Sequence, residues 1–86
     1  IFSLNTSMLY YQNEGIRLNV KQNKFLEILA KNINHTVSFE EIILSVWGDE
    51  TVADSTLRTL VYNIRKHAPE LPLHSYSKKG YYLTSI

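Results

Sequence analysis

The chain has 86 residues, of which 44% are hydrophobic and 20% are charged, and these proportions are typical of one folded domain occupying residues 1–86. It contains no cysteine, which excludes disulfides and thiol catalysis and fits a reducing cytoplasm. No apolar run approaches the roughly 18 residues of a membrane-spanning helix, so we expect no membrane contact by this segment.

Charge is distributed unevenly along the sequence. Residues 1–54 carry four cations and seven acids, a net charge of −3, whereas residues 55–86 carry five cations and one acid, a net charge of +4. The whole chain has a net charge of only +1. A basic final third can face the phosphates of a nucleic acid even though the average charge is nearly neutral.

Short strands are predicted at the N-terminus. Apolar residues occupy every second position at Phe2 and Leu4, Met8 and Tyr10, and Ile16 and Leu18, and turn signals lie at Asn5-Thr6 and Asn13-Glu14-Gly15. The pattern predicts a small antiparallel sheet ahead of the first helix.

Two helices are predicted next. Asn19 can cap the first, over residues 20–32. Its apolar side is formed by Phe25, Leu26, Leu29 and Ile33.

A brief extended segment at Thr36-Val37 leads to the second predicted helix. Ser38 followed by Glu41 forms a capping box, which indicates a helix over residues 39–47 that ends at Gly48. Its buried side is predicted to be Ile42, Ile43, Val46 and Trp47.

The third predicted helix separates apolar from polar residues most clearly. Asp54 or Ser55 can cap it, and Ala68-Pro69 ends it because the residue before a proline disfavours helical backbone. The apolar sector is Leu57, Leu60, Val61 and Ile64, and the polar side is Ser55, Arg58, Thr59, Tyr62 and Lys66, flanked by Asn63 and Arg65.

A basic hairpin follows this helix. Leu73–Tyr76 and Tyr81–Ile86 alternate as two strands around Ser77-Lys78-Lys79-Gly80. A helix with cations on its outer side fits a DNA major groove, and a basic hairpin beside it can reach the neighbouring minor groove. The predicted fold is α+β: an N-terminal antiparallel sheet, three helices and a C-terminal hairpin, in the arrangement of a winged helix-turn-helix.

Four motifs make this resemblance narrower. They are, in chain order, Val46-Trp47-Gly48, Thr56-Leu57-Arg58, Ile64-Arg65-Lys66 and Gly80-Tyr81-Tyr82-Leu83. Together with the leading strands they resemble the OmpR/PhoB family, the winged-helix effector domains of bacterial two-component response regulators. The resemblance implies sequence-specific binding of double-stranded DNA and transcription regulation in the cytoplasm. Because the sequence starts at Ile1 and not at a methionine, we expect a fragment from which the receiver domain is missing.

The resemblance also implies roles for the third helix, which enters the major groove in this family. By position, Thr56 and Asn63 would contact bases and Arg65 a phosphate. The chemistry of the side chains independently fits Asn63 to adenine and Arg58 to guanine. Phosphate or thymine-methyl contacts are expected from Tyr62 and Thr59. The DNA-contacting residues expected on this helix are Ser55, Thr56, Arg58, Thr59, Tyr62, Asn63, Arg65 and Lys66.

In the hairpin, Ser77, Lys78 and Lys79 are expected to contact DNA. The family often has Arg-Gly here, and lysine neutralises phosphate but discriminates a narrow minor groove less well than arginine. His67 stands where the family often has Lys or Arg. We therefore expect modest affinity from one domain, increased by a second copy on tandem half-sites.

The segment between the second and third helices matches the family's loop that can touch RNA polymerase. Its residues are Gly48, Asp49, Glu50, Thr51 and Val52. The same acidic segment could be nothing more than a connector.

Other functions fit less well. The histidines match no zinc pattern, and neither a nucleophile elbow nor a phosphate-cradling glycine loop is present, so we expect no catalysis, cofactor or metal. Trp47 and Tyr81 lie on apolar faces and are predicted to pack in the core, whereas Tyr82 is predicted to be exposed. RNA binding lacks an exposed aromatic cluster on a sheet. The alternatives left open are the same fold on a membrane-anchored regulator and a winged helix used for protein–protein contact.

Overall fold

The fold is described from a computed structural model, which describes residues 2–5, 8–11, 14–49 and 51–84, with side chains from residue 15 onward. Three strands, then three helices with one short strand between the first two, and finally two strands follow one another along the chain. They are β1 (Phe2–Asn5), β2 (Met8–Tyr11), β3 (Glu14–Arg17), α1 (Val20–Lys31), β4 (Val37–Ser38), α2 (Phe39–Trp47), α3 (Asp54–His67), β5 (Leu73–Tyr76) and β6 (Gly80–Leu83). The predicted α+β winged-helix fold is confirmed.

The N-terminal sheet has the order β1-β2-β3 with both pairings antiparallel, as predicted. Glu14 and Gly15 were expected in a turn, but they begin β3 because their backbones pair with Tyr11 and Tyr10. Asn5, expected in the other turn, ends β1 paired with Met8, and Thr6 and Asn13 lie outside the described residues.

Helix α1 begins where its capping residue predicts. The Asn19 side chain accepts from the Gln22 N–H at 2.8 Å, and the Gln22 side chain accepts from the Asn19 N–H at 3.1 Å. The expectation that Ile33 continues the apolar face was wrong. The chain leaves the helix at Asn32, whose φ of −122° and ψ of 39° are not helical, so Ile33 is displaced from that face and is 40% exposed.

Helix α2 has the predicted bounds. The Ser38 hydroxyl accepts from the Glu41 N–H at 3.2 Å, which is the first of the two capping-box bonds. Gly48 ends the helix with a φ of 72°, a left-handed conformation that glycine adopts without steric penalty.

Helix α3 begins earlier than predicted, by one residue relative to a cap at Asp54 and by two relative to a cap at Ser55. Its N-cap is Ala53, whose side chain cannot accept a hydrogen bond, and Asp54 is already in the first turn. A carboxylate there is favourable next to the positive end of the helix dipole, which explains why Asp54 signals a helix start without being the cap. The helix ends at His67, directly before Ala68-Pro69, as predicted.

One core joins the three helices to the C-terminal strands. Its apolar members on the helices include Phe25, Leu26, Leu29, Ile42, Ile43, Val46, Leu57, Leu60, Val61 and Ile64. Tyr81 belongs to this core, as predicted, with its ring edge-on to Phe25 at 5.8 Å and to Phe39 at 5.6 Å. Trp47 lies only half-buried at the margin of the core, with the Lys21 ammonium 6.0 Å from its ring centroid.

A second sheet, of order β4-β6-β5, attaches the hairpin to the helices. Val37 pairs with Tyr81 and Ser38 with Gly80, which brings the backbones so close that a Cβ atom on Gly80 would overlap the Val37 carbonyl. The last strand runs from Gly80 to Leu83, so it starts one residue earlier than predicted, and residues 85 and 86 lie outside the described part. No helix in the described ranges is both long and apolar enough to cross a membrane.

Candidate nucleic-acid interface

The outer side of α3 carries every residue that the sequence singled out on this helix. Ser55, Thr56, Arg58, Thr59, Tyr62, Asn63, Arg65 and Lys66 are all exposed. Tyr62 is 64% exposed, an unusual value for a large aromatic residue. The opposite side of the helix is buried in the core, and this packing fixes the rotation of α3 about its own axis. This surface is called the α3 outer face below.

One residue of the α3 outer face has a restricted chemistry. The Thr59 hydroxyl donates to the Ser55 carbonyl one turn earlier, at 3.0 Å. Its proton is thereby engaged within the helix, and its methyl group remains for contact. Of the two contacts expected for Thr59, the structure favours the apolar one with a thymine methyl group.

Arg65 connects α3 to the hairpin. Its Nη2 atom donates to the carbonyl oxygen of Leu73, the first residue of β5, at 3.2 Å. β5 is an edge strand, and the Thr84 N–H donates to the Pro72 carbonyl on the β6 side. Successive carbonyls of a strand point to opposite sides, so the carbonyl of Leu73 points to the free edge. Arg65 therefore covers part of that edge, and its other N–H groups can still donate to a phosphate.

The turn of the hairpin, residues 77–79, is exposed and held in place from both sides. The Lys79 N–H donates to the Tyr76 carbonyl at 2.9 Å, and the Lys79 carbonyl accepts from the Phe39 N–H at 3.1 Å. Lys78, in the middle of this turn, has a φ of 60°, a left-handed conformation that is unfavourable for any residue with a Cβ atom. The strands β5 and β6 with this turn are called the wing.

A cleft of about 380 Å³ separates α3 from the wing. It is lined by Phe39, Asp54, Leu57, Arg58, Lys78 and Tyr81. Arg58 and Lys78 were predicted as separate DNA contacts, and the structure brings them to the same cleft. Sequence reasoning missed Phe39 and Asp54 as its neighbours, although the i, i+4 spacing of Asp54 and Arg58 places them on one side of a helix.

The cations of this surface have no close acidic partner among the described side chains. Among side chains from residue 15 onward, the only ion pair joins Lys31 to Glu27 at 3.8 Å, on α1. Arg58, Lys66, Lys78 and Lys79 thus carry charge that is not neutralised within the described chain. The described residues also contain no group of three or more His, Asp or Glu side chains placed to share a metal ion.

The loop between α2 and α3 has a mixed character. The Asp49 carboxylate accepts from the Thr51 N–H at 2.9 Å, and this bond, with one to the Thr51 side chain, lowers the pKa of Asp49. Val52 packs against the core and Gly48 caps α2, so these two anchor the loop. Glu50 lies outside the described residues.

Comparison with protein families and solved structures agrees with this geometry. Residues 12–83 match the family model described as transcriptional regulatory protein, C terminal. The DNA-binding domain of Bacillus subtilis CssR is 26% identical, with a TM-score of 0.85 over 98% of this chain and 100% of that one. The C-terminal domain of the nisin resistance regulator NsrR, a lantibiotic response regulator, is 25% identical, with a TM-score of 0.81 over 99% and 93%.

A more distant structure shows likeness of fold alone. The Klebsiella pneumoniae RstA DNA-binding domain, solved with the RstA box, is 13% identical, with a TM-score of 0.83 over 96% of this chain and 90% of that one. No curated protein sequence gives a significant match. The matching family consists of DNA-binding regulators and is not a family of enzymes. The chain belongs to the family of C-terminal domains of transcriptional regulatory proteins, of the OmpR/PhoB type, and its function is DNA binding in transcription regulation.

Proposed function

We propose that the domain recognises a specific sequence in double-stranded DNA by laying α3 in the major groove and the wing on the adjacent backbone and minor groove. The observation that carries this proposal is the pairing of the α3 outer face with a basic wing whose position is held by backbone bonds to α2. A protein that places two basic elements rigidly can match the regular spacing of phosphates on a duplex.

Base recognition is assigned to one flank of the α3 outer face. The Asn63 amide can both donate to and accept from an adenine, and Thr56 lies two turns earlier on the exposed side. Thr59 contributes its methyl group, since its hydroxyl proton is engaged by Ser55. These contacts supply specificity, because each good base contact discriminates by about 1–3 kcal/mol.

Phosphate contacts are assigned to the rest of the α3 outer face and to the wing. Lys66 lies at the C-terminal end of α3, and Lys79 and Ser77 lie in the exposed turn of the wing, while Ser55 and Tyr62 provide hydroxyl donors. Arg65 is proposed to donate to a phosphate with the N–H groups that Leu73 leaves unused. These bonds set the register of α3 in the groove.

The wider arrangement is proposed from the family. The domain would be the effector part of a response regulator, joined to a receiver domain, acting in the cytoplasm as two copies on tandem half-sites. Five cations near the duplex imply a log–log salt slope of about −3 to −5, hence weak binding by one copy. A second copy raises affinity through effective concentration.

Contact with RNA polymerase is proposed for the loop of residues 48–52. Its exposed acidic residue Asp49 has a lowered pKa and stays ionised at neutral pH. Val52 packs against the core and keeps the loop close to the start of α3. A protein partner bound here would approach from beside the proposed DNA surface.

The test is a salt titration of binding to random-sequence duplexes of about 25 base pairs, followed by anisotropy, between about 50 and 200 mM salt. We expect affinity to fall steeply with salt, and to fall further in the charge reversals Arg58→Glu and Lys66→Glu. Selection from the random pool should then recover one enriched motif.

Absence of binding at low salt would contradict the proposal. Intact function after both charge reversals would instead favour a winged helix used for protein–protein contact. Lys24→Glu on α1 is the matched control, because it reverses one exposed cation that belongs to neither the α3 outer face nor the wing and should leave binding unchanged.

A further inference from the structure

The cleft between α3 and the wing combines features that fit one anionic group. Arg58 enters it from the helix and Lys78 from the wing, so two cations of different elements line one space of about 380 Å³. Neither cation has a close acidic partner among the described side chains. Asp54 is the one acidic residue among those that line the cleft, so the lining keeps a net formal charge of +1, which favours an anionic ligand.

The walls of the cleft strengthen such an interaction. Phe39 and Tyr81 line it with their rings packed edge to face at 5.6 Å, and Leu57 adds an aliphatic surface. Apolar walls lower the effective dielectric constant, so the same two cations attract an anion more strongly here than on an open surface.

The backbone of Lys78 gives an independent indication. Its φ of 60° lies in the left-handed region, where glycine is favoured. This backbone conformation is unfavourable for a lysine. We therefore expect the charge of Lys78 to make a favourable contact that offsets the strain. Its neighbour Lys79 carries the same charge but does not line the cleft.

We propose that the cleft holds a single phosphate of the DNA backbone, clamped between the Arg58 guanidinium and the Lys78 ammonium. The inference rests on the proposed function, and it reassigns Arg58 from reading a guanine to gripping a phosphate shared with the wing. The clamp joins the recognition helix to the wing through the DNA itself, so the two elements bind cooperatively.

Asp54 has a defined part in this clamp. Its carboxylate lines the same cleft and lies four residues before Arg58, on the same side of α3. It repels any phosphate that enters the cleft, and two cations offset this repulsion better than one. Asp54→Asn should therefore raise affinity for random DNA about threefold, and raise it for the selected motif by less.

The test is a double-mutant cycle with Arg58→Ala, Lys78→Ala and the double variant, on a duplex carrying the selected motif. Each single substitution should weaken binding about tenfold, and the double about tenfold as well, because both remove the same contact. The salt slope of the double variant should fall by about 1, the value for one phosphate.

Two further variants separate charge from folding. Lys78→Gly removes the cation but suits the left-handed backbone, so it should weaken DNA binding about tenfold while thermal stability is unchanged or slightly higher. Lys79→Ala removes one charge from the same turn outside the cleft, so its loss should multiply with that of Arg58→Ala.

A phosphate scan gives the direct result. Neutral methylphosphonates are placed one at a time along the selected duplex, and the penalties of Arg58→Ala and Lys78→Ala should vanish at the same position. Penalties that vanish at different positions, or a double variant about a hundredfold weaker with a slope lower by about 2, would overturn the clamp. Unchanged binding by both variants, with Lys66→Ala still weakened, would overturn the clamp alone. No binding by the wild type would overturn the proposed function with it.

Discussion

Helices α1 and α3 have the same net charge, but only α3 is proposed to bind DNA. Each carries three cations and one acid, with histidine neutral. On α1, Lys31 is paired with Glu27, and the helix meets the wing through buried rings, Phe25 against Tyr81. On α3, the cations have no close acidic partner in the described chain, and the wing adds Lys78 and Lys79.

The difference teaches that net charge does not define an interface. What distinguishes α3 is the convergence of its outer face with a basic turn held at a set distance by the Phe39–Lys79 backbone bond. Convergence depends on tertiary structure, so it is visible only once the hairpin is placed against the helices.

The largest expected effect comes from a substitution that detaches the wing, the basic element beside the α3 outer face. Gly80→Ala would place a Cβ atom on the Val37 carbonyl and force β6 away from β4. We expect a loss of about 3 kcal/mol in the free energy of unfolding, near the upper end for overpacked sites. Urea denaturation measures it. Ser75→Ala in the adjacent strand is the control, and equal effects of the two changes would contradict the close approach at Gly80.

A direct comparison of the two helices follows. Arg58→Ala/Lys66→Ala removes two cations from the α3 outer face, and binding to random duplex at about 100 mM salt should weaken about a hundredfold. Lys24→Ala/Lys31→Ala removes the same charge from α1 and should weaken binding less than twofold. Anisotropy titration measures both. Similar losses would mean that net charge alone drives binding.

Asn63→Ala separates recognition from attraction on α3. The variant should lose about tenfold in affinity for the selected motif, because one bidentate base contact is removed. Its affinity for random DNA and its salt slope should stay the same, since no charge changes. Loss of affinity for both duplexes in equal measure would assign Asn63 to the backbone instead.

The smallest expected effects concern how the two helices begin. Asn19→Ala removes a reciprocal capping box from α1 and should lower the free energy of unfolding by about 1 kcal/mol. Ala53→Ser offers α3 the side-chain cap that it lacks and should raise that free energy by about 0.5–1 kcal/mol. Thermal unfolding measures both changes in the free energy of unfolding. A decrease for Ala53→Ser or an increase for Asn19→Ala would contradict the roles given to these two caps.

The sequence predicts most of the local structure. The caps at Asn19 and Ser38, the ends at Gly48 and Pro69, and the two sides of α3 were each predicted from residue chemistry and helical spacing. The prediction failed for Ile33, because a helical face continues only while the backbone stays helical, and the chain leaves the helix at Asn32.

The candidate site was predicted only as separate parts. Arg58 and Lys78 lie 20 positions apart, and nothing in local spacing indicates that they line one cleft. The bond from Arg65 to the Leu73 carbonyl was likewise invisible, because a backbone carbonyl has no sequence signature. Both depend on where the wing packs, which is decided by the close pairing of Gly80 with β4.

Mapping the DNA surface by nuclear magnetic resonance tests the central claim most directly. The ¹⁵N-labelled domain is titrated with the selected duplex while backbone amide shifts are followed. We expect large amide shift changes along the α3 outer face and at residues 77–79, and unchanged amide shifts in α1. Shifts concentrated on α1 or on the loop of residues 48–52, with α3 and the wing unaffected, would contradict it.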